Sequence, residues 1–344
     1  MTWPTELPII QAPMAGGPST PELAAAVSAA GGYGFLAAGY LSAEGLRDLI
    51  AATRALTESP FGVNLFVPSS PGDPGAVRRY ASLLQTEADR LGVALGEPRW
   101  DDDGFEEKLS VVESEQVDLV SFTFGCPTSA VIERLRRAGS RVAITVTSEA
   151  EARLAVDSGA DLLAVQGTEA GGHQGSFLDL APNRRPLLSL LTEIRHLTDV
   201  PLLGAGGIMT GSDAVAALEA GASGVLLGTA LLCAAEAGTA ATYRRALLDR
   251  TYADTMVTRA FTGRYARGLA NEFAQAHTEQ APEAYPEVHY LTRPLRSAAM
   301  TAGDPSVPNL WAGQGWQQVT AEPARTIVQR IAAEAGWAQA KPPG

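Results

Sequence analysis

The chain has 344 residues, of which 46% are hydrophobic and 19% are charged, so it can bury a large core. A length of about 150 residues per domain would suggest a pair of domains, although barrels built from βα units often exceed that length. The formal net charge of −12 argues against a nucleic-acid partner, because a phosphate-binding face needs clustered lysine and arginine.

The cysteines, Cys126 and Cys233, lie far apart and match no metal-ligand spacing, so they indicate neither a zinc site nor a disulfide framework. The first residues lack the basic and apolar segments of a signal peptide. No stretch approaches the roughly 18 uninterrupted apolar residues of a membrane span. We therefore expect a cytoplasmic protein that contacts no membrane.

From residue 8 onward, short apolar runs alternate with alanine-rich amphipathic segments, which is typical of parallel strands joined by helices. Thr20 before Pro21 is expected to cap the first helix, and Ser42 the second. Eight consecutive units predict an α/β fold of the (β/α)8 TIM-barrel type over residues 1–251. The predicted strands are 8–13, 33–38, 61–67, 119–124, 142–146, 160–165, 201–205 and 224–227.

The connection after the third strand, residues 68–104, is too long for an ordinary βα loop and contains an apolar-periodic helix over about 76–91. We expect an insertion that covers the strand ends as a lid, with an inert surface insertion as the alternative. The run Asp101-Asp102-Asp103 is interpreted as a solvated helix cap rather than a metal site, because three consecutive carboxylates cannot all face one ion.

The alternation of predicted strands and helices ends near residue 252. Residues 252–344 mix arginine with tyrosine and tryptophan and predict one clear helix over about 323–335. Their apolar residues look too sparse for a separate core, so a helical appendage packed on the barrel mouth is favoured over an independent domain.

His173 is the main candidate for a catalytic side chain. It follows the sixth predicted strand in a turn that contains Gly171, Gly172 and Gly175. These glycines leave the backbone free to approach a planar ligand and to adopt positive φ. A solvated histidine in an ordinary loop is the alternative.

Glycine-rich loops also follow the seventh and eighth strands, where TIM barrels commonly bind phosphate. Gly206, Gly207, Gly228 and Thr229 would offer backbone N–H groups to an anion there. A dinucleotide fold is disfavoured, because no G-x-G-x-x-G motif follows the first strand.

A phosphate at these loops would place a ligand ring across the barrel mouth, near Met14, Asn64, Gln166 and His173. The amides of Asn64 and Gln166 can hydrogen-bond the carbonyl and imide edge of a flavin. Each is equally plausible as a structural amide.

The chain resembles the nitronate monooxygenases, which are FMN-dependent TIM-barrel enzymes, and is most similar to their class I members. His173 and its glycine turn are the most specific match, and the similarity continues into 259–264. The matching segments are 8–14, 31–35, 63–66, 166–175, 205–208 and 227–229. Residues 67–71 depart from the pattern, which leaves the preferred nitronate open.

The resemblance implies FMN as the cofactor and His173 as the catalytic base. It further implies flavin contacts for Asn64 and Gln166, packing against the flavin for Gly171, and phosphate binding by Gly206, Gly207, Gly228 and Thr229. The implied reaction is the oxidation of an alkyl nitronate, or of a nitroalkane, by O2 to a carbonyl compound and nitrite. Detoxification and a biosynthetic role are both open.

Proton removal from a neutral nitroalkane suits an imidazole with a pKa near its usual 6.5. We expect ordinary surface or packing roles for His196, His277 and His289. The alternatives are an FMN-dependent NAD(P)H oxidoreductase acting on a quinone or an enoyl thioester, and a flavin-binding barrel without activity. The sequence leaves the oligomeric state open.

Overall fold

The computed structural model describes residues 5–337. Its strands are β1 (Ile9–Gln11), β2 (Gly34–Ala37), β3 (Phe61–Phe66), β4 (Leu119–Thr123), β5 (Arg141–Val146), β6 (Leu162–Gln166), β7 (Gly172–His173), β8 (Leu202–Ala205), β9 (Gly224–Leu227), β10 (Thr255–Thr258) and β11 (Ala266–Leu269). Its α-helices are α1 (Pro21–Ala29), α2 (Ala43–Leu56), α3 (Pro74–Leu91), α4 (Phe105–Ser114), α5 (Ser129–Arg137), α6 (Glu149–Ser158), α7 (Leu187–Arg195), α8 (Gly211–Glu219), α9 (Ala241–Leu248), α10 (Glu272–His277), α11 (Glu287–Ala302) and α12 (Ala324–Glu334).

Eight of these strands form one parallel sheet in the order β1-β9-β8-β6-β5-β4-β3-β2. A parallel bridge between Ile10 and Tyr33 joins β1 to the residue before β2 and closes the sheet. The predicted (β/α)8 barrel is therefore confirmed. Because the strands are parallel, their carboxyl ends meet at one mouth, where the connecting loops gather.

The predicted helix starts follow from local hydrogen bonds. The Thr20 hydroxyl accepts from the backbone N–H of Leu23 at the start of α1, and Ser42 caps α2 in the same way. Thr210 and Asp213 form a reciprocal capping box at α8. Each cap satisfies a backbone N–H that has no partner inside the helix.

The interior of the barrel is filled by large apolar side chains, among them Ile10, Phe35, Leu119, Leu162 and Leu203. A second and larger layer of apolar residues lies between the strands and the outer helices. The filled interior means that a ligand can enter only above this layer, at the mouth. The C-terminal helix α12 belongs to the outer layer, since it packs on both α1 and α8.

The insertion after β3 contains α3, which starts at Pro74 with Asp73 as its cap, slightly earlier than predicted. Tyr80 and Leu84 on this helix pack against Val288 and Leu291 of α11. The sparse apolar residues of the C-terminal region thus share a buried cluster with the insertion. Partners about 200 positions away in sequence complete a core that neither segment could build alone.

The acidic run of the insertion is not a solvated cap, so this interpretation was wrong. Asp103 forms an ion pair with the buried Lys108 at 2.7 Å and accepts the backbone N–H of Tyr40 at 3.0 Å. Asp101 accepts the hydroxyl of Tyr290 at 2.6 Å. These contacts tie the insertion to the loop after β2 and to α11.

Besides the short helix α10, two features of the C-terminal region were not predicted. The first is α11, whose helical pattern is interrupted in sequence by Pro294. The second is a small antiparallel sheet in which β11 pairs with both β10 and β7. This sheet is what holds His173, because Ala266 of β11 is its direct partner. Within residues 5–337, no helix combines the length and apolar character that a membrane crossing requires.

Candidate active site

A cavity of about 580 Å³ lies at the carboxyl ends of the barrel strands, a volume typical of small-molecule sites. The insertion contributes Arg99 to its wall, and the C-terminal region contributes residues of α11 together with Trp311. The residues predicted for the site all line it: Met14, Asn64, Gln166, Gly171, His173, Gly206, Gly207, Gly228 and Thr229. The fold therefore brings them together, while what each one binds stays a prediction.

The loops after β8 and β9 present backbone donors to the cavity. Gly206 and Gly207 have φ values of 127° and 72°, which side-chain-bearing residues rarely adopt. The backbone N–H groups of Gly206, Gly207, Gly228 and Thr229 donate no hydrogen bond to any residue within 5–337. Such a group of unpaired donors suits an anion with several oxygen acceptors.

Gly171 lies against the backbone of the C-terminal region. A Cβ at this position would stand 2.5 Å from the backbone nitrogen of Gly313. Gly313 in turn donates its N–H to the Thr229 hydroxyl at 3.0 Å. The glycine thus allows residues near 313 to close over the loops after β6 and β9.

The two candidate amides differ in how many of their polar atoms are engaged. Asn64 donates from Nδ2 to the hydroxyls of Ser121 at 2.8 Å and Thr123 at 3.0 Å. Among the described residues, none donates to its Oδ1, which is available to a ligand.

Gln166 donates from Nε2 to the carbonyl oxygen of His173 at 3.0 Å, and its Oε1 accepts the N–H of Gly175 at 2.7 Å. These bonds match the structural alternative, since they hold the histidine turn in place. A flavin contact by Gln166 stays a prediction.

His173 lies in the short strand β7 rather than in a free turn. Its Nε2 lies 2.8 Å from the hydroxyl oxygen of Thr262, and that hydroxyl donates to the carbonyl oxygen of Arg264 at 3.3 Å. A hydroxyl has one proton to donate, so we assign the imidazole proton to Nε2. Nδ1 is then the nitrogen that can accept a proton.

Aromatic side chains surround the imidazole. The ring centroids of Phe124, Tyr285 and Trp311 lie 5.5, 5.6 and 5.4 Å from that of His173. The surface that His173 leaves uncovered faces the cavity. These rings cover the rest of the imidazole and limit its orientation.

The surroundings keep His173 uncharged. Burial, followed by the nearby positive charges of Arg264 and Arg296, lowers its pKa from 6.5 to about 3. The expectation of a pKa near the usual value is therefore wrong. The sequence could not show it, because the arginines are more than 90 positions away.

His289 packs in the interior, in agreement with the expected packing role, and it also contributes to the wall of the cavity. Its ring stacks on that of Tyr40 with centroids 4.3 Å apart. Burial, followed by the charge of Arg296 and by His173, lowers its pKa to about 2. His196 is exposed at the end of α7, and His277 packs on the ring of Phe273.

Within the described part of the chain, the charged side chains that line the cavity are all arginines: Arg99, Arg293 and Arg296. No aspartate or glutamate within residues 5–337 lines it, although the chain as a whole has a net charge of −12. The charge of the cavity lining is thus positive, whereas the net charge of the protein is negative. Sequence reasoning could not predict this, because the helix α11 that contains Arg293 and Arg296 was not predicted.

The cysteines are both free thiols. Cys126 is not among the residues that line the cavity, and burial raises the pKa of its thiol. Cys233 is buried, which raises its thiol pKa to about 11. Neither environment stabilises a thiolate.

Fold and cavity together define a TIM-barrel protein with a small-molecule site at the barrel mouth. A family model described as nitronate monooxygenase matches residues 3–334. A "probable nitronate monooxygenase" of Staphylococcus aureus is 36% identical over 339 residues, which cover 95% of this chain and 93% of that protein.

Two solved structures extend the comparison. A nitroalkane oxidase from Streptomyces ansochromogenes has a TM-score of 0.94 and 48% identity, covering 97% of this chain and 96% of the other. FabK from Thermotoga maritima has a TM-score of 0.76 and 27% identity, covering 96% and 93%. The chain belongs to the nitronate monooxygenase family and is an oxidoreductase.

Proposed function

We propose that this protein uses bound FMN and O2 to oxidise alkyl nitronates to carbonyl compounds and nitrite. The observation that carries the choice of substrate is an uncharged His173 in a cavity whose charged lining, as far as residues 5–337 form it, consists of arginines. A nitronate is already an anion, so it needs a positive environment and no strong base. A neutral nitroalkane would need a base that can take its proton.

The residues present fit FMN. Its phosphate would be held by the unpaired N–H groups of Gly206, Gly207, Gly228 and Thr229, and its ring edge would meet Oδ1 of Asn64. The cavity volume of about 580 Å³ suits a ligand of this class. When bound, FMN supplies the redox chemistry by accepting electrons from the substrate.

The chain's own residues would position the substrate and exclude water. Phe124, Tyr285 and Trp311 form an apolar wall around His173, which strengthens electrostatic interactions inside the cavity. His173 is held in place from two sides, by Thr262 at its ring and by Gln166 at its backbone carbonyl. Such preorganisation is the main contribution that a protein makes to this type of reaction.

The test is an assay of the purified protein for nitrite. The flavin is first released by denaturation and identified by chromatography, and FMN is expected. The loaded protein is then mixed with a preformed alkyl nitronate in air, and nitrite and O2 consumption are measured. The proposal is wrong if no nitrite appears from fully loaded protein. Rapid bleaching of the flavin by NAD(P)H alone, without nitronate, would instead favour an NAD(P)H oxidoreductase.

A further inference from the structure

Arg296 is a partly buried cation that has no carboxylate partner among residues 5–337. Its Nε donates to the Thr292 hydroxyl at 3.0 Å, and Nη1 donates to Oδ1 of Asn309 at 2.7 Å. Nη2 donates to the carbonyl oxygen of His289 at 2.9 Å and lies 3.3 Å from its Nδ1. Every one of these acceptors is neutral, so the positive charge is oriented but not compensated.

The position of Arg296 places this charge inside the cavity. The side chain lines the cavity, and its charge acts on His173 as well as on His289. Five N–H groups belong to a guanidinium, and the described contacts use four of them. One N–H on Nη1 therefore remains for a ligand.

Burying a charge without a counter-ion is unfavourable, and proteins normally pair it. Arg259 illustrates such pairing, since it forms an ion pair with Asp179 at 3.0 Å. Arg264 and Arg267 are buried without an ion pair among the described residues, but neither of them lines the cavity. Arg296 differs from these two arginines because it lines the cavity, so a bound ligand can supply the negative charge that no carboxylate within residues 5–337 supplies.

We propose that Arg296 binds the anionic group of the substrate, so that α11 determines the preference of the cavity for anions. This inference rests on the proposed function for the identity of the anion, a nitronate. The donors on the loops after β8 and β9 would be occupied by the cofactor phosphate. Arg296 belongs instead to the part of the cavity formed by His289, Tyr40 and His173.

The experiment compares Arg296→Gln and Arg296→Lys in the FMN-loaded protein, with nitrate as an inert planar oxyanion probe. The dissociation constant for nitrate is obtained from the flavin absorbance and from the rise in Tm with nitrate concentration. We expect it to increase about 10- to 100-fold in Arg296→Gln, the range for loss of a hydrogen bond to a charged group. Arg296→Lys keeps the charge and should lose less.

The matched control is Arg244→Gln. Arg244 is also partly buried and donates to backbone carbonyls, those of Cys233 and Ala234, but it does not line the cavity. It should leave nitrate binding unchanged. In kinetics, the KM for the nitronate should rise in Arg296→Gln by a similar factor, with a smaller change in kcat.

Three results would overturn the proposal. The first is that Arg296→Gln binds nitrate as tightly as the unmodified protein. The second is that Arg296→Gln loses bound FMN while its affinity for nitrate is unchanged. The third is that the unmodified protein does not bind nitrate. If Arg296→Gln does not fold, the last measurement and Arg296→Lys still decide. Nitrate binding that depends on Arg296, in a protein that releases no nitrite from nitronates, would support the anion site while refuting the proposed function.

Discussion

Replacing His173 with asparagine tests whether this side chain removes a proton from the substrate or binds and orients the anion. Asparagine is polar and fits the space, but it cannot accept a proton as imidazole can. Proton removal is required only for a neutral nitroalkane, because a preformed nitronate has already lost that proton. The variant should therefore affect the two substrates unequally.

The magnitude follows from the surroundings of the imidazole. A pKa of about 3 lies roughly 3.5 units below the usual 6.5, which corresponds to about 5 kcal/mol less driving force for taking a proton. We expect unmodified protein to have a kcat/KM for the nitronate at least about 10²-fold above that for its parent nitroalkane. General base catalysis is worth about 10²- to 10⁴-fold, so His173→Asn should remove most remaining nitroalkane activity.

Activity on the nitronate should fall much less in the same variant. The side chain would lose at most one hydrogen bond and some ring packing, worth about 0.5–1.5 kcal/mol, or up to about tenfold in rate. His196→Asn is the matched control, because it makes the same change at an exposed position outside the cavity. It should leave both activities unchanged.

The assay measures initial O2 consumption and nitrite release for each substrate, with nitronate prepared in base and added last. All proteins are compared at equal flavin content, since β7 also lines the cavity. Equal losses on both substrates would refute the reasoning, because His173 would then bind or orient the anion. Unchanged activity on both would show that the imidazole has no role in the reaction.

Three further outcomes are expected. Gly207→Leu should release flavin, and full flavin content in this variant would place the phosphate elsewhere. The control is Gly139→Leu, at a φ of 95° with open space around it, which should lower the free energy of unfolding by a similar amount but keep flavin. Cys126→Ala should retain FMN and full activity in the nitrite assay, and loss of the chemical step with FMN still bound would contradict this. The pKa values of His173 and His289 in the folded state, about 3 and about 2, lie below 6.5, so between pH 6.5 and 3 the unfolded chain binds protons that the folded chain excludes. The free energy of unfolding should therefore fall as the pH drops, by at most about 1.4 kcal/mol per pH unit for each histidine. An unchanged pH slope of the urea-unfolding free energy in His289→Gln would contradict this.

Local sequence patterns were enough to predict the barrel and the loops that surround its mouth. Strands and helices depend on hydrophobic periodicity and on local hydrogen bonds, such as the caps at Thr20 and Ser42, which a few neighbouring residues establish. The backbone conformation at Gly206 and Gly207 could likewise be predicted, because a positive φ is a local property that glycine adopts readily. These signals were sufficient to place every predicted site residue around one cavity.

The electrostatics of that cavity, and the part of its wall that Arg99, α11 and Trp311 form, depend instead on contacts between residues far apart in the chain. The pKa of His173 depends on burial and on Arg264 and Arg296, which lie 91 and 123 positions later in the chain. The helix that contains Arg296 contains Pro294 in its interior, and it is stabilised by packing against α3 rather than by its own propensity. Packing between residues far apart in the chain determines the charge of a site and how far it excludes water. Local sequence patterns do not show which distant residues will be in contact.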